Sequence, residues 1–391
     1  MSERLSIVHC FRNPVGGLFR HVRDLAKAQI AAGHAVGMIA DSTTGGPFEE
    51  AIFARIAPDL ALGVTRIPMR RSISPADIAS AFGVLRQVKA LRPDVIHGHG
   101  AKGGAYARVI GSLLRANNRA PLRVYTPHGG SLHYDEATAK GRLFFTAERW
   151  LERMSDALIF VSRYEFETYC RKVGEPRKPV AIAVNGLGPD EFQPIPLADD
   201  ARDLLFIGML RDLKGPDIFI EALALIRDRT GRAPSAHIVG SGEDKSKYQA
   251  LVASRGLAAS VTFHDPMPAR EAFAMARLVV VPSRAESMPY LVLESLAAGR
   301  PTLATRVGGI PEIFGSEAGA LIAPGEAAAL ADAISQAWSH PEETAARAQR
   351  LRQAIRPIFS VDAMARTVEG AYRTAFSAAG EADAHAVKSS T

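Results

Sequence analysis

Short apolar segments alternate with helical patterns along most of the chain, and this alternation limits the possible folds more than any other feature. Helical spacing is clear at His21, Leu25 and Ala28, and Gly33 ends that pattern. Strands that alternate with helices predict a mostly parallel, doubly wound sheet. The strand candidates of the first half are Leu5–Cys10, Ala35–Ala40, Val95–His97, Arg123–Pro127 and Ala157–Val161.

The alternation stops at a linker-like segment and then starts again. Residues 188–203 combine Pro189, Pro194 and Pro196 with an acidic pair, a composition typical of a linker. A chain of 391 residues also exceeds what one hydrophobic core usually supports. We therefore predict two doubly wound domains, 1–192 and 198–358. The strand candidates of the second half are Asp203–Gly208, Ala236–Gly240, Val261–His264, Leu278–Pro282 and Pro301–Thr305.

Composition excludes several classes of protein. Hydrophobic residues make up 47% and charged residues 23% of the chain, as in globular proteins, so a disordered or collagen-like chain is excluded. The two distant cysteines, Cys10 and Cys170, rule out a disulfide framework and a cysteine-rich metal site. No apolar run reaches about 18 residues, and the first residues show no secretory signal. A cytoplasmic location is therefore expected.

Positive charge is concentrated in the first half. Residues 1–195 contain 26 Lys and Arg against 18 Asp and Glu, a net charge of +8, whereas the whole chain carries +6. This excess favours an anionic partner such as a nucleotide, a lipid headgroup or a nucleic acid. An ordinary solvated surface explains it equally well.

The segment from Glu286 to Glu294 is the strongest local signal. Glu286 follows a predicted strand, and Glu294 lies in the second turn of a helix that begins near Pro289. The N–H groups at the start of that helix suit an anion such as a phosphate. The two carboxylates can accept hydrogen bonds from sugar hydroxyls. Two surface glutamates at this spacing also occur often by chance.

Two cations follow another strand of the same predicted sheet. Arg211 and Lys214 lie between Gly208 and Gly215, directly before a helix that starts at Pro216. A planar guanidinium fork and a compact ammonium together suit a diphosphate. The spacing differs from that of a Walker loop. Exposed basic residues beside an acidic neighbour are the ordinary alternative.

Loops of the first half contain glycines and histidines at predicted strand ends. Gly16 and Gly17 precede a helix and allow a ligand to approach the backbone, but they do not form a dinucleotide fingerprint. His128 follows one strand, and His97 and His99 follow another, so the three could converge. His-x-His without a carboxylate or thiol is weak support for zinc, and we expect no metal site. A further glycine loop, Val307 to Glu312, follows the last predicted strand.

Taken in order, these motifs resemble the retaining nucleotide-sugar glycosyltransferases of family four, which have the GT-B fold. The resemblance rests on Glu286 and Glu294 with seven residues between them, on the Gly208–Gly215 segment and on the first-half glycine and histidine loops. It also includes the stretch from Asn185-Gly186 to Phe192 and runs from Val8 to about Phe376. It implies two Rossmann-like domains facing across a cleft. A helix at 361–377 is expected to cross back onto the first domain, ahead of a flexible tail, 378–391.

The resemblance implies a role for each matching residue. Glu286 would hold hydroxyls of the donor sugar, and Glu294 the ribose hydroxyls of the nucleotide. Arg211 and Lys214 would bind the diphosphate, and His128 would approach the transferred sugar. His264 would lie near the base. Further substrate contacts would come from the backbone at Gly16, Gly17, Ser287, Met288, Pro289, Tyr290 and Leu291. Met209 departs from the motif, which usually has arginine there, so the cation role passes to Arg211.

The function implied is transfer of a sugar from a nucleotide-diphosphate sugar to an acceptor hydroxyl, with retention. The nucleotide sugar is a co-substrate, no cofactor is implied, and a metal is not required because two cations supply the charge. A sugar or lipid-linked sugar is the expected acceptor and an anionic membrane surface a further partner, whereas nucleic acid is not. A nucleotide-sugar epimerase, a nicotinamide-dependent dehydrogenase and a non-catalytic binding module remain alternatives. The dehydrogenase lacks its glycine fingerprint.

Overall fold

The computed structural model describes residues 4–115 and 121–389, with side chains as far as residue 379. The chain divides into two compact units. The first consists of Met1–Gly186 together with Val361–Thr391, and the second of Leu187–Ser360. Both units are built on a parallel sheet with helices, as the alternation of apolar segments predicts.

The first unit has a seven-stranded sheet in the order β3-β2-β1-β4-β5-β6-β7, and every pairing is parallel. Its strands are β1 (Ser6–Phe11), β2 (Ala35–Asp41), β3 (Val64–Ile67), β4 (Val95–His99), β5 (Leu122–Thr126), β6 (Ala157–Phe160) and β7 (Val180–Ile182). Its helices before the second unit are α1 (Gly16–Ala31), α2 (Pro47–Ile56), α3 (Ala76–Leu91), α4 (Gly100–Arg115), α5 (Ala139–Glu152) and α6 (Arg163–Lys172). The strand order reverses between β1 and β4.

The second unit has a five-stranded sheet in the order β10-β9-β8-β11-β12, again parallel throughout. Its strands are β8 (Arg202–Ile207), β9 (Ala236–Val239), β10 (Val261–His264), β11 (Ala276–Val281) and β12 (Thr302–Ala304). Its helices are α7 (Pro216–Thr230), α8 (Lys245–Ser254), α9 (Ala269–Ala274), α10 (Tyr290–Ala297), α11 (Ile310–Phe314), α12 (Ala327–Ser339) and α13 (Pro341–Ile355). Here the order reverses between β8 and β11. Ligands of doubly wound sheets bind at the carboxyl ends of the strands beside such a reversal.

The final helix, α14 (Val361–Ser389), belongs to the first unit. Its apolar side chains, among them Val368, Tyr372 and Ala375, share a core with Ile7 and Leu25. The helix continues over 378–389, the segment for which the sequence predicts a flexible tail, and residues 390–391 lie outside the described part of the chain.

The boundary between the units differs from the predicted limits of 1–192 and 198–358. Leu187 N donates to Phe359 O at 2.9 Å, and the Arg352 guanidinium donates to Phe192 O at 2.5 Å. These contacts tie the segment after Gly186 to the second unit. Among the helices of 4–115 and 121–389, none combines the length and apolar character needed to span a membrane.

Candidate active site

The loops after β8 and β11 bring Lys214 and Glu286 together in the second unit. Lys214 Nζ donates to Glu286 Oε1 at 2.6 Å, and Ser283 Oγ donates to the same oxygen at 2.7 Å. Both charged groups are partly buried, with side-chain exposures of 26% for Lys214 and 10% for Glu286. Because β8 and β11 flank the reversal in strand order, this pair lies where a doubly wound sheet binds its ligand.

The position of Lys214 depends on a tight turn at Gly215. Gly215 has φ = +71°, and a Cβ at this residue would lie 2.2 Å from Pro282 O, directly after β11. Only glycine allows both this backbone conformation and this close approach. The turn therefore packs directly against the strand end from which the Glu286 loop starts.

Arg284 joins the same two loops, and the sequence gives no signal for it. Its guanidinium donates to both carboxylate oxygens of Asp217, at 2.8 and 2.6 Å, and to the backbone oxygen of Asp212. Its backbone N donates to Leu213 O at 2.9 Å. Arg284 thus fixes the Glu286 loop to the turn that contains Lys214.

The start of α10 borders the pair on the side of Glu286. Pro289 precedes the first residue of the helix, and no side chain caps the helix there. Gly309 N donates to Ser287 O at 2.7 Å, and a Cβ at Gly308 would lie 1.9 Å from Glu286 O. The predicted glycine loop therefore packs against the Glu286 loop. Glu294 lies half-buried in α10.

A pocket opens beside these loops at the carboxyl ends of β8 and β9. It has a volume of about 230 Å³ and is lined by Ile207, Gly208, Met209, Val239, Gly240, Ser241, Pro266 and Met267. Met209, where the motif usually has arginine, is therefore a pocket wall. Arg211 is exposed in the same loop. His264 ends β10 just before the pocket-lining Pro266, and its Nε2 lies 2.8 Å from His237 Nδ1.

In the first unit the structure brings five histidines together at the reversal between β1 and β4. His97 and His99 lie on β4 and His128 in the loop after β5, while His9 on β1 and His21 on α1 complete the cluster. His99 contacts two of the other histidines. Its Nε2 lies 2.9 Å from His9 Nδ1, and its Nδ1 lies 3.1 Å from His128 Nε2. Sequence reasoning missed His9, which lies in an apolar strand, and read His21 only as part of a helical pattern.

Burial lowers the pKa of these imidazoles. The pKa of His9 and that of His21 each fall to about 4, mainly through desolvation, and the pKa values of His97, His99 and His128 also lie well below the ordinary value. The histidines are therefore neutral near pH 7. Gly16 and Gly17, at the start of α1 after β1, also belong to this edge of the sheet.

Two family models match consecutive parts of this chain. Residues 16–186 match the "Glycosyl transferase 4-like domain", and residues 189–355 match "Glycosyl transferases group 1". The chain belongs to the family-four glycosyltransferases. The boundary between the two matches falls at the boundary between the two units of this glycosyltransferase.

Curated relatives of this glycosyltransferase include two bacterial proteins. It is 29% identical over 296 residues to the putative glycosyltransferase EpsD of Bacillus subtilis, covering 71% of this chain and 76% of the relative. It is 30% identical over 309 residues to a D-inositol 3-phosphate glycosyltransferase of Gordonia bronchialis, covering 71% of this chain and 66% of the relative.

Solved structures share the fold of this glycosyltransferase. Sucrose-phosphate synthase of Thermosynechococcus elongatus aligns with a TM-score of 0.75 at 22% identity, covering 96% of this chain and all of that one. Anabaena HepE in complex with UDP-glucose aligns with a TM-score of 0.77 at 17% identity, covering 95% of this chain and all of that one. Both likenesses confirm the GT-B fold class that the sequence predicts.

Proposed function

We propose that this glycosyltransferase transfers a hexose from a nucleotide-diphosphate sugar to an acceptor hydroxyl with retention of anomeric configuration. The observation that carries the proposal is the 2.6 Å contact between Lys214 Nζ and Glu286 Oε1 at the strand reversal of the second unit. A cation and a carboxylate at one point suit a ligand that joins a diphosphate to a polyhydroxy group. The matched family and the motif residues support the same reading.

Lys214 would lower the activation barrier by stabilising the negative charge that develops on the leaving diphosphate. When the bond from the anomeric carbon to the diphosphate breaks, negative charge grows on the diphosphate while the sugar gains oxocarbenium character. Lys214 and Arg211 would stabilise that charge, and fixed donors of this kind commonly form the largest catalytic contribution. Two cations supply this charge, so the proposed reaction requires no metal.

The remaining motif residues would orient the donor. When the donor binds, Lys214 would contact the diphosphate instead of Glu286. The Glu286 carboxylate would then accept hydrogen bonds from sugar hydroxyls. Glu294 would accept hydrogen bonds from the ribose, and the backbone at the start of α10 would face the diphosphate. The pocket lined by Met209 and Met267 would hold the base. From the first unit, His128 would donate a hydrogen bond to the transferred sugar.

Product analysis separates this proposal from the alternatives. The protein is incubated with a panel of UDP-, GDP- and ADP-sugars, with and without an acceptor extract, and products are separated by chromatography and identified by mass spectrometry and NMR. UDP-sugars come first because HepE was crystallised with UDP-glucose. An acceptor of increased mass supports a transferase, whereas an isomerised donor without acceptor indicates an epimerase. If the reaction proceeds with retention, NMR of the product should show the anomeric configuration of the donor sugar. An inverted linkage would exclude retention.

We further propose that the acceptor belongs to polysaccharide or lipid-linked glycan assembly and that the first unit meets an anionic membrane. Exposed residues of one segment support the second part: Arg70 and Arg71 precede Ile73 in the chain, and Ile78 and Phe82 are one turn apart on α3. The three apolar side chains are 63–76% exposed. Apolar side chains flanked by basic ones suit a negatively charged bilayer surface.

Liposome flotation tests the membrane proposal. Binding to vesicles that contain anionic lipid should fall when both Ile78 and Phe82 are replaced by Asp. Leu143→Asp, at another exposed apolar residue in α5, serves as the matched control and should leave binding unchanged. Equal binding to neutral vesicles, or an unaffected double variant, would exclude this patch.

A further inference from the structure

The histidine cluster of the first unit contains a buried nitrogen that no hydrogen bond satisfies. His21 is fully buried, its Nδ1 lies 2.9 Å from Asn185 Oδ1, and its Nε2 has no partner. An amide oxygen can only accept, so Nδ1 of His21 carries the proton and Nε2 presents a lone pair. A buried polar atom without a hydrogen-bond partner is uncommon and costly, and its lone pair is available to an ordered water or a metal ion.

A second amide fixes the protonation of His99 in the same way. Gln29 Oε1 lies 2.8 Å from His9 Nε2, while the Gln29 amide nitrogen donates to Tyr372 OH at 3.3 Å. His9 Nε2 therefore carries the proton, and His9 Nδ1 accepts from His99 Nε2. This leaves a lone pair on His99 Nδ1, which faces His128 Nε2 at 3.1 Å.

Three imidazoles thus lie close together, and two of them, His21 and His99, already present a lone pair. One ring nitrogen from each of His21, His99 and His128 lies within 4.8 Å of the others. Two nitrogens that bind one tetrahedral zinc ion at about 2.0–2.1 Å are ~3.3 Å apart, close to the contact between His99 and His128. A change of tautomer at His128, from Nε2–H to Nδ1–H, would supply the third lone pair.

We propose that His21, His99 and His128 form a binding site for a zinc-class divalent metal ion. Imidazole nitrogens suit zinc, copper and nickel, and three of them leave a fourth position for water. Asn185 holds His21, and Gln29 holds His99 through His9, as carbonyl groups commonly hold the histidines that bind metals. Because the hydrogen bonds leave lone pairs on His21 Nε2 and His99 Nδ1, no proton need be displaced from either nitrogen.

The neighbouring triad of His9, His97 and His99 is a weaker candidate. His9 uses both nitrogens, for Gln29 and His99, and His97 uses both, for Tyr372 OH and Thr126 Oγ1 at 2.8 Å each. A metal bound there would have to replace hydrogen bonds that satisfy the buried ring nitrogens of His9 and His97. The site with His21 needs only the contact between His99 and His128 to open.

Metal binding would also engage the histidine that the proposed function assigns to the sugar. Metal on His128 Nε2 fixes its ring against His21 and His99, and zinc should therefore slow transfer. We therefore propose that metal binding at this site inhibits sugar transfer, a property additional to the transfer reaction. Metal binding is measured without nucleotide sugar, so its failure would not bear on the proposed transfer, and the reverse also holds.

The test is titration of the metal-free full chain with Co²⁺, followed by the visible bands of tetrahedral cobalt. The wild type should bind one equivalent. His21→Asn keeps a donor for Asn185 but removes Nε2, and His128→Asn suits a residue with φ = +51°. Each variant should lose the bands and bind at least about tenfold more weakly.

His34→Asn is the matched control, since His34 is a buried histidine of the same unit whose Nδ1 accepts from Leu5 N and Asn can accept there instead. It should keep the bands. Circular dichroism establishes that each variant is folded. Absence of tetrahedral bands in the wild type, bands that persist in either ligand variant, or their loss in His34→Asn overturns the proposal.

Discussion

The ion pair of Lys214 and Glu286 joins two groups that the proposed donor would separate. Lys214→Ala should lower the rate of transfer by roughly a hundredfold or more, because one fixed donor at a developing negative charge contributes ~3 kcal/mol. Initial rates with a saturating donor measure the effect. Lys245→Ala, which removes a partly exposed lysine paired with Asp265 at 2.8 Å, should change the rate little. Equal losses in the two variants would contradict a specific role for Lys214.

Single residues also mark where sequence reasoning reaches its limit. Lys214 and Glu286 are 72 positions apart, yet their meeting follows from the sequence because each directly follows a strand of one parallel sheet. His9 gives no such signal, since it lies inside an apolar run and its partner Gln29 lies on a helix face. Arg284 and Asp217 form a contact that only the folded loops create.

At the scale of elements, the turn at Gly215 connects β8 to β11. Gly215→Ala would combine left-handed strain with a Cβ 2.2 Å from Pro282 O. Gly231 has a similar φ, +75°, but a Cβ there would have no neighbour within 4 Å. Both variants should lose about 1 kcal/mol of unfolding free energy from the strained backbone. Gly215→Ala should lose more and should also lower activity, as chemical denaturation and rate measurements would reveal. Equal losses of stability with full activity in both would contradict this role of the turn.

A buried ion pair connects β5 to the start of β6. Arg123 donates to Asp156 through Nε at 2.9 Å and Nη2 at 2.6 Å, and both side chains are less than 10% exposed. Asp156→Asn should cost about 3–5 kcal/mol of unfolding free energy near neutral pH, since the arginine loses its charged partner. Glu136→Gln, which affects an exposed pair with Arg171, should cost at most about 1 kcal/mol.

The cost of Asp156→Asn should depend on pH. Burial alone would raise the pKa of Asp156, but hydrogen bonds from Arg123 and its charge more than offset this and lower the pKa. The carboxylate therefore stabilises the fold above the unfolded pKa of about 4, and this contribution is lost as the pH falls through the lower folded pKa. Denaturation from pH 7 to pH 3 should show the difference between wild type and variant shrinking only at the acid end. A difference that stays constant would contradict the ion-pair assignment.

Most strands could be predicted, but the two edge strands of the first unit's sheet could not. Ten strand candidates coincide with observed strands to within two residues at each end, because those strands are nearly continuous apolar runs. Val64–Ile67 and Val180–Ile182 are short, only partly buried edge strands and lack that signal. The segment before residue 198 has the composition of a linker, but Phe192 is buried within the second unit.

At the scale of the whole molecule, the chain leaves the first unit once and returns to it through α14. Tyr372 secures this return, since its hydroxyl contacts His97 Nδ1 at 2.8 Å and accepts from Gln29 at 3.3 Å. Tyr372→Phe should cost about 1–3 kcal/mol by leaving buried polar groups unsatisfied. Hydrogen exchange should show faster opening in α14 and β4 and unchanged protection in the second unit. Unchanged exchange throughout would contradict this anchoring role.

The central claim is that the second unit binds a nucleotide-diphosphate sugar through Lys214 and Glu286. Its most direct test is a crystal structure with whichever UDP-, GDP- or ADP-sugar gives the largest thermal shift, because a bound ligand stabilises by mass action. We predict the diphosphate within hydrogen-bond distance of Lys214 Nζ and a sugar hydroxyl against the Glu286 carboxylate. A nucleotide sugar bound elsewhere, with the 2.6 Å pair intact, would contradict the claim.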